Sequence, residues 1–225
     1  MIKQPLASTF VYEFNIDTNL VDRALEDILK KPTSVTSSNQ LTQHRTQILF
    51  HKNNDNNFTP IFHKELFTQL QNCIDQVCEL HFSQGKLAIC DSWLTRTYFG
   101  EKSEMHSHSF SIFSGVLYCT EHYRAPTLFE LEDLFYKKYE KLFHNTIKPQ
   151  THQLLSHPKK GKLLIFDSQI RHGILHNVNK NKSGFWRPDA PRYTIAFNTW
   201  FTGQIGPART ARLTSNVVDV EQQNQ

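Results

Sequence analysis

The sequence predicts a mainly β domain, a sandwich or barrel buttressed on one side by helices. Three observations point there. From residue 86 onward the apolar period shifts towards two, in short runs separated by turn chemistry. Ahead of residue 86 stand two amphipathic stripes at helical spacing. The 225 residues, 38% of them hydrophobic, suffice for one large β domain with a packed core. A single domain over 1–225 is the better count. Residues 1–85 hold a strand and supporting helices, 86–203 the β core, and 204–225 a tail or lapping segment.

In chain order, "TFVYEFNI" (Thr9–Ile16) alternates loosely and reads as a strand. Asp17 or Thr18 then caps a helix whose stripe is Leu20, Val21, Ala24, Leu25, Ile28 and Leu29, and Pro32 ends it. Residues 33–57, rich in Ser, Thr, Gln and Asn, form a long polar connection interrupted by "TQILF". Thr59, with Pro60 at the first helical position, opens a second helix striped by Phe62, Leu66, Leu70, Cys73, Ile74, Val77 and Cys78. The strands that follow are "KLAICDSWLTRTYF", "SFSIFSGVLYCT", "APTLFEL", "GKLLIFDS", "HGILHNV" and "RYTIAFNTWF", with turns at Lys159-Lys160-Gly161 and Asn177–Gly184. A helical insertion over about 131–145 interrupts them, where Leu131, Leu134, Phe135, Leu142 and Phe143 recur at helical spacing.

Charge excludes little. Twenty-five Lys and Arg against 21 Asp and Glu leave +4, and no basic stripe with interleaved aromatics marks a nucleic-acid surface. Four cysteines form neither a CxxC pair nor a zinc-ribbon spacing, and Cys73 and Cys78 read as small hydrophobes within a helix. The N-terminus lacks a continuous apolar segment and no run of 18 apolar residues occurs. A soluble protein in a reducing, cytoplasmic setting, without a membrane partner, is the expectation.

Twelve histidines make a metal site worth seeking. His106 and His108 stand at i and i+2, so on an extended chain both imidazoles leave one face and can hold one ion. Two solvent histidines at a strand end are the bland alternative. His172 follows a buried strand (Leu163–Phe166) and a turn, at the end where barrels open ligand cavities, although a lone histidine there is ordinarily structural. In "RYTIAFNTWF" the odd positions are mainly apolar, whereas Arg192, Thr194, Ala196 and Asn198 are polar or small. They form either an outward polar stripe or the lining of a polar pocket, in which the planar fork of Arg192 suits a carboxylate. Without a bulge, His106, His108, Ser114, Val116 and Tyr118 share a face, which would aim the Tyr118 hydroxyl at the imidazoles.

The order of these segments resembles the Fe(II)/2-oxoglutarate-dependent oxygenases, and more narrowly a bacterial and phage subfamily. The residues that carry the resemblance are His106-Ser-His108, "SGVLY" (114–118), "FDSQIRHGILHN" (166–177) and "RYTIAFN" (192–198), within roughly residues 88–201. It implies a double-stranded β-helix, or jelly roll, with Fe(II) inside its open end and 2-oxoglutarate as cosubstrate. By the same resemblance His106 and His172 become iron ligands, and His108 stands where many relatives have an aspartate. Arg192 becomes the clamp for the distal carboxylate of 2-oxoglutarate, with Thr194 beside it, and Tyr118 matches a tyrosine that donates to that carboxylate. Trp93 fits the strand leading to the first histidine. The activity implied is oxidation, most simply hydroxylation, of a small-molecule or peptidyl substrate, with release of succinate and CO2.

Two points depart from the pattern. Asp167 replaces a frequent proline, and residues 132–157 exceed the usual connection. Spacing favours His108 as third ligand over the carboxylates of Glu104 and then Asp167. His122, His157 and His176, at strand ends, are more often surface residues than supports of a metal site. Arg171, Lys182 and Arg187 are solvated faces or contacts for an acidic substrate. "SGFWRPDAP" (183–191) is either part of a lid or an irregular loop. Two rivals remain: another cupin-type metalloenzyme with three histidines and no 2-oxoglutarate, and a non-catalytic jelly roll that only binds.

Overall fold

The computed structural model describes residues 9–30, 45–48, 50–52, 58–60, 63–82, 86–97, 103–121, 126–132, 151–174 and 191–202. The chain enters through β1 (Val11–Asn15) and α1 (Thr18–Lys30). Asp17 caps this helix, its Oδ1 accepting the backbone N–H of Asn19 at 3.0 Å. Leu20, Val21, Ala24 and Ile28 bury the predicted stripe, while Leu29 stays 47% exposed.

Short strands β2 (Arg45–Ile48), β3 (Phe50–Lys52) and β4 (Phe58–Pro60) lie within and just after the predicted polar connection. The second helix, α2 (Lys64–His81), therefore starts later than expected. Pro60 ends β4 rather than opening the helix. A residue before proline is driven to extended backbone, and at Thr59 that preference serves a strand. Seven residues from Leu66 to Cys78 bury one face of α2, including Cys73 and Cys78.

Eight strands then build two antiparallel sheets: β5 (Lys86–Thr97), β6 (Ser103–His106), β7 (Phe113–Tyr118), β8 (Thr127–Glu132), β9 (Thr151–Ser156), β10 (Lys162–Asp167), β11 (Arg171–Ile174) and β12 (Arg192–Thr202). The larger sheet runs β1-β10-β7-β12-β5-β2 and the smaller β6-β11-β8-β9. Successive strands alternate between sheets, which is the jelly-roll topology. β9 had no clear period in the sequence. Leu131 and Glu132, placed in the helical insertion by spacing, are the end of β8. The rest of that segment, like the 204–225 tail, lies outside the described residues.

Alternation divides the larger sheet cleanly. Leu117, Cys119, Leu163, Ile165, Ile195 and Phe197 face the helices and join their buried stripes in one core. Leu164, Phe166 and Tyr118 face the smaller sheet, where they pack with Phe129 and Ile170. Gly115 lies opposite Phe197. A Cβ there would fall 2.0 Å from Phe197 Cζ, so glycine is what lets that ring cross β7. No helix among the described residues is long and apolar enough to cross a membrane.

Candidate active site

The metal candidates come from three different places. His106 ends β6, and His172 sits directly opposite it on β11. This cross-strand pairing sets their ring centroids 4.5 Å apart. Gly173 allows the close approach, because a Cβ there would meet Ser103 O at 2.8 Å. His108 lies beyond β6, in the loop that crosses to the larger sheet. The two histidines thus do not open one strand. The loop at 107–112 separates them from Ser114, Val116 and Tyr118, which nonetheless face the same interior.

Hydrogen bonds hold that loop. The His108 N–H donates to Ser168 O at 2.9 Å, and the Ser168 N–H donates to Ile112 O at 3.1 Å. Gln169 Nε2 donates to His108 O at 3.2 Å. Beneath them, Ser168 Oγ lies 2.8 Å from Ser114 Oγ and 2.7 Å from Ser111 Oγ. Ser114 Oγ also donates to Asn198 Oδ1 at 2.8 Å. Trp93 of β5 packs its ring 5.8 Å from that of His108.

The protons follow from the partners. His106 Nδ1 lies 2.8 Å from Glu104 O and His172 Nδ1 2.9 Å from Ile170 O. A carbonyl only accepts, so each Nδ1 carries the proton and each Nε2 presents a lone pair. His108 Nε2 stands 3.2 Å from His172 Nε2. One ring nitrogen from each of the three lies within 4.8 Å of the others, a group that can hold a metal ion. Burial, then the neighbouring His106, pulls His108 down to about 4. Burial, against the Ile170 carbonyl and with the neighbouring imidazoles, takes His172 down to about 3. Both rings are therefore neutral at pH 7, as metal ligation requires, and each backbone-bonded Nδ1 is the usual support of a ligating imidazole.

A cavity of about 80 Å³ opens beside the three imidazoles, walled by Trp93, Thr95, Ser114, Thr127, Arg192 and Thr194. That is room for a few water-sized groups, at roughly 10–15 Å³ each, and so for a small extended molecule. The polar face of β12 lines it: Arg192 is 2% and Thr194 4% exposed. Arg192 Nη2 donates to Thr127 Oγ1 at 3.2 Å, and its Cζ lies 5.2 Å from the centre of the Tyr118 ring. Its Nε and Nη1 are buried without any partner. Burial pushes the guanidinium's pKa down, against the pull of Tyr118. A buried cation with unused donors is costly unless an anion completes it.

The Tyr118 hydroxyl sits deeper than parity suggested. It donates to Thr127 Oγ1 at 2.7 Å, with Ser156 O at 3.4 Å. Glu104 is exposed and, with Asp167, stands outside the three-histidine group. Asp167 is also exposed and accepts the Gln169 N–H at 2.9 Å. His157 and Arg171 are exposed, and Arg171 lies 3.9 Å from Glu130. His122, His176, Lys182, Arg187 and all of 183–191 but Pro191 lie outside the described residues. Sequence reasoning missed Thr127, Thr95 and Ser168. Thr127 left one signal, its two-residue spacing from Phe129 on a strand that is otherwise apolar on that face.

Residues 91–198 match the model of a family described as "Putative 2OG-Fe(II) oxygenase". No curated protein matches the chain. Among solved structures it is similar to a 2OG-Fe(II) oxygenase family oxidoreductase from Burkholderia pseudomallei, at 9% identity, 84% coverage of both chains and TM-score 0.54. It is also similar to the α-ketoglutarate-dependent epimerase SnoN from nogalamycin biosynthesis, at 9% identity, 92% and 89% coverage and TM-score 0.55. A third likeness is to HygX from Streptomyces hygroscopicus with nickel and 2-oxoglutarate bound, at 9% identity, 91% and 85% coverage and TM-score 0.51. These likenesses are of fold.

Proposed function

Residues 91–198 belong to the 2OG-Fe(II) oxygenase family, and from that premise we propose how this chain, a 2-oxoglutarate-dependent oxidoreductase, uses its residues. His106, His108 and His172 hold Fe(II) through their free ring nitrogens. Arg192 receives the distal carboxylate of 2-oxoglutarate on its unused donors, with Thr194 on the same wall. The observation that carries this reading is the pair of orphaned nitrogens, Nε and Nη1 of Arg192, in the cavity that the three histidines border. The donor set fits the group: neutral imidazoles suit Fe(II), and a dianionic cosubstrate supplies the negative charge that a carboxylate ligand would otherwise bring.

When bound, iron and 2-oxoglutarate supply the oxidising chemistry, in which dioxygen is consumed, the 2-oxo acid becomes succinate and CO2, and a substrate C–H bond is oxidised. The protein's part is placement. Ile170 O and Glu104 O keep two Nδ1 protons fixed, so the Nε2 lone pairs stay aimed at a common point. The Ser168 backbone fixes the His108 loop. Phe129 and Phe166 pack against His172, their ring centroids 6.1 and 4.7 Å from it, and keep water from that side. A three-histidine hydrolase would leave the orphaned Arg192 donors without a task.

Anaerobic addition of Fe(II) and then 2-oxoglutarate tests the reading. The expected result is a visible metal-to-ligand charge-transfer band that is absent in His172→Ala and needs far more 2-oxoglutarate in Arg192→Ala. A wild-type protein without the band and without succinate formation would sink the proposal.

A further inference from the structure

The hydrogen bonds around Thr127 assign it a task that neither its sequence context nor the fold announces. A threonine hydroxyl has one proton to give and two lone pairs to receive with. Both lone pairs are engaged: Tyr118 donates at 2.7 Å and Arg192 Nη2 at 3.2 Å. The other acceptor near the Tyr118 proton, Ser156 O, is 3.4 Å away, so the short contact to Thr127 takes it. Thr127 must then send its own proton elsewhere, and among the described residues no acceptor receives it. The residue is 3% exposed, and it borders the cavity that holds the unpartnered Arg192 donors.

The geometry points to Thr127 as a direct ligand-binding residue: its hydroxyl donates to the anionic group that Arg192 receives, which on the reading above is the distal carboxylate of 2-oxoglutarate. Tyr118 acts one step back. Its proton polarises Thr127 rather than touching the ligand, and its ring lies against the guanidinium. The tyrosine that the family resemblance assigned to the carboxylate thus reaches it through a threonine supplied by the opposite sheet. The larger sheet contributes the charge and the smaller sheet the neutral donor.

Two 2-oxo acids of equal length separate this role from a structural one: 2-oxoglutarate, and 2-oxopentanoate, which lacks the distal carboxylate. Dissociation constants are read from the anaerobic Fe(II) charge-transfer band, and folding of every variant from its melting temperature. Thr127→Val and Thr127→Ala should weaken 2-oxoglutarate about tenfold or more, as expected for a lost hydrogen bond to a charged group. Both should leave 2-oxopentanoate within about threefold, because that ligand never met the donor. Thr127→Ser keeps the proton and should restore tight binding of 2-oxoglutarate. Tyr118→Phe should lose less than Thr127→Val. Equal losses for both acids, no loss in either Thr127 variant, or a greater loss in Tyr118→Phe would overturn the assignment. A wild-type protein that gives the band with neither acid overturns the oxygenase reading itself, which is a different result.

Discussion

Replacing Arg192 with methionine should make the ligand-free protein more stable while removing most of its affinity for 2-oxoglutarate. The side chain is 2% exposed, and two of its three nitrogens have no partner. A buried charge in that state costs several kcal/mol. The Tyr118 ring face returns about 2 kcal/mol and the Thr127 hydroxyl about 1.5 kcal/mol. Methionine keeps the length and the packing without the charge, so the net gain should be about 1–3 kcal/mol. In a chain of this size that raises the melting temperature by about 2–4 °C per kcal/mol. The ligand responds in the opposite direction. Two charge-assisted hydrogen bonds at about 1.5–3 kcal/mol each amount to about 3–6 kcal/mol, or two to four orders of magnitude in Kd. Thermal unfolding under anaerobic conditions with Fe(II), with and without saturating 2-oxoglutarate, reads both effects at once. Wild type should shift upwards on adding the ligand and the variant should not. If ligand-free Arg192→Met melts about 4 °C or more below wild type, corresponding to a loss of at least about 1 kcal/mol, or its Kd stays within tenfold, the reasoning fails.

The stability of the metal-free protein should depend on acid in a defined window. His172 and His108 are held down to about 3 and about 4, so below the ordinary value of about 6.5 the unfolded chain binds protons the native state refuses. The stabilisation is complete above pH 6.5 and is lost as pH falls towards 4, at up to about 1.4 kcal/mol per pH unit for His172 and less for half-buried His108. Urea titrations from pH 7 to 4.5 should show that slope, and a flat profile would count against the burial of both rings. His172→Ala should abolish Fe(II) binding measured by equilibrium dialysis while folding is retained. Loss of metal from Glu104→Gln in its place would point to a different third ligand. Gly115→Ala should destabilise the protein by about 3 kcal/mol, because its Cβ would meet Phe197 Cζ at 2.0 Å in a core already filled. Adding Phe197→Leu should recover part of that loss in the same denaturation assay.

Local periodicity made much of this molecule legible. β12 shows how: strict alternation put Ile195 and Phe197 against helices and Arg192 and Thr194 into a cavity, and both faces are where parity placed them. Helix α1 was equally plain, from its stripe and its Asp17 cap. Site residues were found only where chemistry was concentrated in a rare residue type, as at His106, His108, His172 and Arg192. What escaped was non-local. The pairing of His106 with His172 depends on a register between β6 and β11 that no local pattern encodes. Thr127 is polar, small and common, and its meaning arises only from the two donors that converge on it. The start of α2 was misplaced because Thr59-Pro60 suits an extended end as well as a helical beginning.

The order of the larger sheet has a consequence for how the chain is made. β12, the last described strand, lies between β7 and β5, not at an edge. Until it emerges from the ribosome, β5 and β7 each offer an open row of backbone donors and acceptors, and the sheet is split in two. Folding of the larger sheet therefore waits until almost the whole polypeptide is available, and nascent chains halted short of Arg192 should be the aggregation-prone species for a chaperone to guard. The strand that closes this sheet also carries the guanidinium, so a closed cavity and an anion-receiving one arise in the same event.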